Sequence, residues 1–425
     1  MPRTRRTLPP LVHVAALLAV LLALAAPSLA AAAEVEAAQS ARTALKKALS
    51  RAMGEAAPAS GAYVVDAESG SALFGWRSGT ARVLASNTKL YTMGAALAAH
   101  GPGATLETRV RGLGAVDPTG SWIGDLYLEG GGDPTFGAAS YNRARYAGGA
   151  SIEALASELR DLGIRRVQGA VVGDESRFDS LRGTAYSGFG GSGDIGGPLT
   201  ALAFNHGRTA AGRFQTDPPL YAAARLADAL RRVGVKVDDP ARADETPAGA
   251  LELAEVQSPP MSRLAQITGV RSENWFAEEL VKGLPDGQGT TAAGVAEVRE
   301  HVRSLGAKAS LADGSGLSSA NRASPRQVVR FLLGERERPE FQAFEAALPT
   351  AGVNGTLVDR MRSGAARGNC HAKTGTLRVV TTLSGYCETR SGRQIAFSIL
   401  MNGANVSRGR RLQDRMVQAM AGYRG

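Results

Sequence analysis

Apolar residues recur at helical intervals from Glu34 to Met53, at Val35, Ala38, Ala41, Leu45 and Leu49, and this spacing predicts an amphipathic helix. Two short strand-like runs follow, Gly61 to Asp66 and Ser71 to Trp76, and the turn signal Glu68-Ser69-Gly70 between them predicts a hairpin. From Ala85 to His100 the helical stripe returns through Leu90, Met93, Ala96 and Leu97, with Gly101 and Pro102 as stop signals. Between about Glu107 and Glu255 the texture changes. Short β-like runs such as Asp125 to Leu128 and Val167 to Val172 alternate with Gly-rich turns, and Ile152 to Leu162 stands out as the one clear helix. Beyond Ser258-Pro259-Pro260, helical spacing resumes over Met261 to Gly283, Thr290 to Leu305, Pro325 to Leu333 and around Phe341 to Ala347. A hairpin turning near Arg378-Val379, a strand from Gln394 to Met401 and an amphipathic helix from Arg408 to Met420, with Leu412, Met416 and Met420 on one face, complete the pattern.

The first thirty residues read differently. Arg3, Arg5 and Arg6 form a basic head, an apolar run extends from Leu11 to Ala26, and small residues end at Ser28-Leu29-Ala30. This is the pattern of a secretory signal peptide over residues 1–30, too short to span a bilayer, so an exported, periplasmic or wall-associated protein is expected. The remaining length calls for two or three domains. The formal charge of +10 falls to about +7 without the three leader arginines and favours an anionic partner, yet the basic residues are scattered and lack the aromatic interleaving of a nucleic-acid module. The five histidines, His13, His100, His206, His301 and His371, show no metal-ligand spacing, so no metal or other cofactor is expected. Gly130-Gly131-Gly132-Asp133-Pro134 lacks the ending of a phosphate loop and reads as a tight turn, and Ser187 to Gly197 reads as a surface loop. Cys370 and Cys387, the only cysteines, fall opposite each other if the chain turns at Arg378-Val379; they are either a cross-strand disulfide or two buried thiols.

Three strings carry candidate chemistry: Ser86-Asn87-Thr88-Lys89, Ser272-Glu273-Asn274 and Lys373-Thr374-Gly375-Thr376. Residues three apart share a helix face, so Lys89 can take the proton that makes the Ser86 hydroxyl nucleophilic, provided burial or a second cation such as Lys373 disfavours its charged form. Ser272 can pass a proton to a leaving amine, and Asn274 can hold a substrate amide and orient Lys89. On a strand, Lys373 and Gly375 face one way and Thr374 and Thr376 the other. Gly375 admits a substrate backbone, the threonines suit a carboxylate, and the N–H groups of Ser86 and Thr376 suit an oxyanion. Each string alone has a plainer reading: Ser86 as a helix cap, Ser272-Glu273-Asn274 as another cap, and Lys373 exposed on an edge strand. Glu273 is expected to face solvent, and His371 is expected at the surface and not as a base.

Together these residues resemble the penicillin-binding proteins and serine β-lactamases. Leu84-Ala-Ser-Asn-Thr-Lys-Leu, Gly124-Asp-Leu-Tyr-Leu-Glu-Gly-Gly-Gly-Asp-Pro-Thr, Ser258-Pro-Pro-Met-Ser, Ser272-Glu-Asn-Trp-Phe-Ala-Glu, Asp313-Gly-Ser-Gly-Leu-Ser and Ala351-Gly-Val-Asn-Gly-Thr-Leu are similar to the low-molecular-mass class C D-alanyl-D-alanine carboxypeptidase/endopeptidase family. The resemblance implies an α+β fold: an antiparallel sheet with helices on both faces, built from residues 34–106 and 256–425, with inserted accessory β-rich material over 107–255. It also implies cleavage of D-Ala-D-Ala in peptidoglycan stem peptides through an acyl-enzyme on Ser86. Lys89 would be general base, Ser272 and Asn274 would assist, Lys373, Thr374, Gly375 and Thr376 would bind substrate, and β-lactam antibiotics would acylate the same serine. A β-lactamase or esterase would share the serine and lysine, but the insertion and the lack of a deacylating Glu-x-x-x-Asn segment speak against it. A non-catalytic wall scaffold would not need every reacting residue.

Overall fold

The computed structural model describes Pro2 and residues 34–425; apart from Pro2, the expected signal peptide lies outside the described residues. A five-stranded antiparallel sheet forms the centre, in the order Cys370–Leu377, Val380–Glu388, Gln394–Asn402, Gly61–Asp66 and Ala72–Trp76. Strands from before and after the intervening segment therefore meet in one sheet. The helix over residues 34–54 and the helix Val406–Ala421 cover one face, where Leu45, Leu49, Leu412 and Met416 pack on Phe397 and Ile399. Helices Thr88–His100, Met261–Val270, Thr291–Ser304 and Pro325–Arg336 cover the other, with Tyr91, Phe331 and Leu264 in the core. Because helices lie on both sides, Val380–Glu388 is buried at every position but the last and shows no polar alternation.

The cysteines are direct register partners, Cys370 opposite Cys387, and they are bonded as a disulfide. Of the two sequence readings, the cross-strand bond is the one the structure contains.

The residues between the two sheet-forming ends build a second core. Incoming strand Glu107–Gly112 pairs antiparallel with outgoing strand Leu251–Gln257, so the chain leaves and returns on neighbouring strands. They extend a mixed sheet through Leu126–Gly130, Val171–Asp174 and Arg242–Ala243, and a small parallel sheet joins Ser121–Ile123, Arg166–Gln168 and Lys236–Val237. The expected run Val167 to Val172 is thus two strands in two sheets, broken at Gly169, where a Cβ would lie 2.5 Å from the Gly124 carbonyl oxygen. The expectation of one clear helix is also corrected. Besides Ile152–Asp161, this region contains Ala139–Tyr146 and the fifteen-residue helix Pro218–Arg232. Pro218-Pro219 looks like a breaker in the sequence, but Asp217 caps the helix by accepting from Leu220 N–H, and proline is tolerated in the first turn.

Candidate active site

Ser86 does not open the α-helix directly. It sits in a 3-10 turn, Ala85–Asn87, and Lys89 is the second residue of helix Thr88–His100. Ala85 has φ 48°, a conformation that costs a non-glycine residue about 1–3 kcal/mol and is sustained by its surroundings. Those surroundings are close. A Cβ on Gly316 would lie 1.9 Å from the Ala85 carbonyl oxygen, and one on Gly375 would lie 2.9 Å from the Ser86 nitrogen. Thr382 Oγ1 donates to the Leu84 carbonyl at 2.9 Å, pinning the turn to the central sheet.

The three strings converge. Lys89 Nζ lies 3.1 Å from Ser86 Oγ, 2.6 Å from Asn274 Oδ1 and 2.6 Å from the Ser315 carbonyl oxygen. Lys373 Nζ donates to Ser272 Oγ at 2.9 Å and to the Thr374 carbonyl at 2.9 Å. Ser272, at φ 60°, occupies the break between helices Met261–Val270 and Asn274–Gly283 that the sequence pattern had run together. Ser86, Ser272 and Asn274 open onto a cavity of about 470 Å³, whose sheet side is Thr374, Gly375 and Thr376. The strand alternation holds: Lys373 points to Ser272, while Thr374 Oγ1 lies 2.7 Å from Thr356 Oγ1, and Thr376 Oγ1 accepts from Arg410 Nη2 at 2.9 Å.

Burial sets the electrostatics. Lys89 is fully enclosed, and desolvation brings its pKa down to about 8 against the upward pull of Glu278, Asp313 and Glu273. Desolvation, reinforced by Lys89, pushes Lys373 well below the usual lysine range. Behind Lys89, Glu278 accepts from the N–H groups of Gly314 and Ser315, and Asp313 accepts from Gly316 and Ser318 N–H and from Asn321 Nδ2. Burial and the neighbouring Asp313 raise the Glu278 carboxyl above the usual carboxylate range.

Several contributors were not assigned from sequence. Asp313 to Gly316 reads as a turn, yet its Ser315 carbonyl holds Lys89. Glu278 and Thr356 fall inside two of the strings quoted for the resemblance but were given no role of their own, and Arg360 and Arg410 lie in no such string. Ser187 to Gly197, expected as a surface loop, reaches the site: Asn274 Nδ2 donates to the Asp194 carbonyl at 2.7 Å, and Ile195 is buried. Glu273 is half-buried. His371 is half-buried beside Thr350, 3.1 Å from its hydroxyl, and is not among the cavity-lining residues. Among the described residues no cluster of histidine, cysteine, aspartate or glutamate could hold a metal ion. No helix among them is long and apolar enough to cross a membrane.

Known proteins with this pattern give a consistent answer. The sequence profile of the D-Ala-D-Ala carboxypeptidase 3 (S13) family matches residues 41–186 and 200–423, leaving unmatched the segment that contains Asp194. The chain is 29% identical to the D-alanyl-D-alanine carboxypeptidase of Actinomadura, over 86% of this chain and 82% of that one. It is 32% identical to carboxypeptidase DacB of Mycolicibacterium smegmatis, over 80% and 76%. Penicillin-binding protein 4 of Haemophilus influenzae shares the fold, with a TM-score of 0.73 at 20% identity over 87% of this chain and 97% of that one. With this sequence match spanning nearly the whole described chain, the protein belongs to the D-Ala-D-Ala carboxypeptidase 3 (S13) family and is a serine-type D-Ala-D-Ala carboxypeptidase.

Proposed function

We propose that the chain hydrolyses the terminal D-Ala-D-Ala bond of peptidoglycan stem peptides, and D-alanyl cross-links, by acyl transfer to Ser86. The observation that carries this reading is the environment of Lys89. A neutral lysine amine has two N–H donors and one lone pair. Asn274 Oδ1 and the Ser315 carbonyl, each at 2.6 Å, take the donors, and the lone pair is left for the Ser86 hydroxyl at 3.1 Å. With a pKa near 8, an appreciable fraction of the amine is neutral close to physiological pH.

Ser86 Oγ attacks the carbonyl carbon of the penultimate D-alanine while its proton passes to Lys89 Nζ. N–H groups of Ser86 and Thr376 receive the oxyanion. Ser272, held by Lys373, delivers a proton to the amine of the departing D-alanine as the C–N bond breaks. Water then hydrolyses the ester on Ser86. Thr374, Gly375 and Thr376 form the wall along which the peptide lies. β-Lactams enter the same cleft and acylate the same serine, and a crystal structure of the Haemophilus influenzae protein holds a β-lactam. We assign catalysis to residues 34–106 and 256–425, with 107–255 as inserted accessory material. The enzyme acts outside the cytoplasm, in the periplasm or against the wall, consistent with the export pattern of its first thirty residues.

Digestion of defined cross-linked and uncross-linked muropeptides, with products identified by mass, tests this reading. Free D-alanine and shortened or separated stems are expected from the wild type, and none from Ser86→Ala. Release by that variant at the wild-type rate would overturn the assignment.

A further inference from the structure

Lys89 can act as a base toward Ser86 only while its two N–H donors stay engaged, because rotation of the amine would turn its lone pair away from the hydroxyl. Asn274 Oδ1 takes one donor and the Ser315 carbonyl the other. A carbonyl on a loop is a loose fixture unless the peptides around it are held, and those of Gly314 and Ser315 are held from two helices. Thr92, three residues beyond Lys89 on helix Thr88–His100, donates from Oγ1 to the Gly314 carbonyl at 2.8 Å. From helix Asn274–Gly283, Glu278 accepts Gly314 N–H on Oε2 at 3.0 Å and Ser315 N–H on Oε1 at 2.8 Å. The loop lies directly on that helix: a Cβ on Gly314 would be 2.7 Å from the Ala277 carbonyl oxygen.

Glu278 follows Asn274 by four residues, so the two share one helix face. One turn of helix therefore presents both acceptors of Lys89, the Asn274 amide directly and the Ser315 carbonyl through Glu278. Glu278 is fully buried. The other buried charges of its helix are taken elsewhere: Glu279 Oε1 accepts from Thr200 N–H at 3.0 Å, and Lys282 donates to Asp179 Oδ1 at 2.6 Å. The charges that act on Lys89 are Glu278, Asp313 and Glu273, which favour its ammonium form, and Lys373 on the sheet, which it repels. Asp313 is saturated by Gly316 N–H, Ser318 N–H and Asn321 Nδ2. His301 and Glu335 pair with each other beside Gly94, farther along the helix of Lys89.

We propose that Glu278 is a positioning residue for the general base: it fixes the Ser315 carbonyl on Lys89 and supplies the buried negative charge against which Lys89 holds the proton taken from Ser86. This rests on the acyl-transfer reading above and deepens it. The two contributions can be separated. Glutamine keeps the size of the side chain but has one acceptor oxygen and no charge, so it meets one of the two backbone N–H groups with an N–H of its own. Aspartate keeps the charge on an arm one methylene shorter.

The test is the rate constant for acylation by penicillin, followed by stopped flow from about pH 5 to about pH 10, with thermal unfolding of each variant as the check on folding. Glu278→Gln is expected to lower the plateau rate by about tenfold to a hundredfold, as displacement of a reacting group does. It should also move the midpoint of the profile down by about one pH unit from the wild-type value near 8, because loss of a nearby negative charge disfavours the ammonium form. Glu278→Asp should lower the plateau by about tenfold and keep the midpoint within about 0.3 of the wild type. A purely structural role would lower both plateaus and move neither midpoint, so an unmoved midpoint in Glu278→Gln overturns the proposal, as does an unchanged plateau. If Glu278→Gln does not fold, Glu278→Asp decides: a wild-type plateau or a displaced midpoint there overturns the proposal, and a lowered plateau at the wild-type midpoint supports it. A wild type that penicillin does not acylate, or acylates at a rate independent of pH, would refute the underlying reaction instead, a result distinct from all of these.

Discussion

At the scale of single residues, the chemistry is a matter of which polar groups are shut away from water and what they face. Lys89 is enclosed by Asn274, the Ser315 carbonyl and Ser86, so the protein suppresses its charge by burial more than by the second lysine. A base works when unprotonated, and its neutral fraction falls about tenfold for each pH unit below its pKa. The rate of acylation by a penicillin should therefore climb with pH and level off above about 8, the value burial gives Lys89. A stopped-flow profile flat between pH 6 and 9 would count against Lys89 as the base. The sequence exposed the five principal polar residues because each lies in a short string with a chemical reason for its spacing. It hid Ser315, which contributes a backbone carbonyl, and Arg410, whose partner Thr376 is thirty-four positions away. Backbone groups and distant partners leave no mark on side-chain pattern.

At the scale of elements, the site depends on close backbone approach between a turn, a loop and a strand. Gly316 has φ 89° and no room for a Cβ against Ala85, so Gly316→Ala combines steric conflict with backbone strain. A loss of about 2–4 kcal/mol in unfolding free energy is expected from chemical denaturation, with acylation slowed because the Ser86 turn must shift. The hairpin that carries Lys373 is closed by Cys370–Cys387, seventeen residues apart. Reduction, or replacement of both cysteines by alanine, should cost about 2–4 kcal/mol, measurable as a lower denaturation midpoint that reductant no longer changes in the double variant. Hairpin and helix elements around the five-stranded sheet were readable because turn signals and 3.6-residue stripes agree with their burial. The helix Pro218–Arg232 was not, because its two leading prolines look like an interruption until Asp217 is seen to cap them.

At the scale of the whole molecule, the region between the two sheet-forming parts packs against the candidate site. Trp275, next to Asn274, is fully buried: its Nε1 donates to the Pro198 carbonyl at 3.0 Å, and its ring lies 4.2 Å from that of His206. Burial takes His206 down to about 3, so the ring is neutral and packs as an aromatic, with Tyr146 Oη 3.1 Å from its Nδ1. From the other side the Asp194 carbonyl fixes the Asn274 amide. His206→Ala should destabilise the protein by about 1–3 kcal/mol and also slow acylation, since the Asn274 helix loses its outer support. Calorimetry and penicillin labelling of the same sample would show both effects, and unchanged labelling would separate the insertion from the chemistry. The sequence marked this region off by texture, but its docking on Trp275 runs through Gly196, Gly197 and Pro198, residues that read locally as loop.

The account turns on a covalent bond to one oxygen. Brief exposure of the protein to penicillin, followed by denaturation, proteolysis and mass spectrometry of the peptides, locates that bond directly. A penicilloyl adduct confined to the peptide containing Ser86, and missing in Ser86→Ala, is the predicted result. An adduct on any other residue, or labelling that persists in the variant, would contradict it.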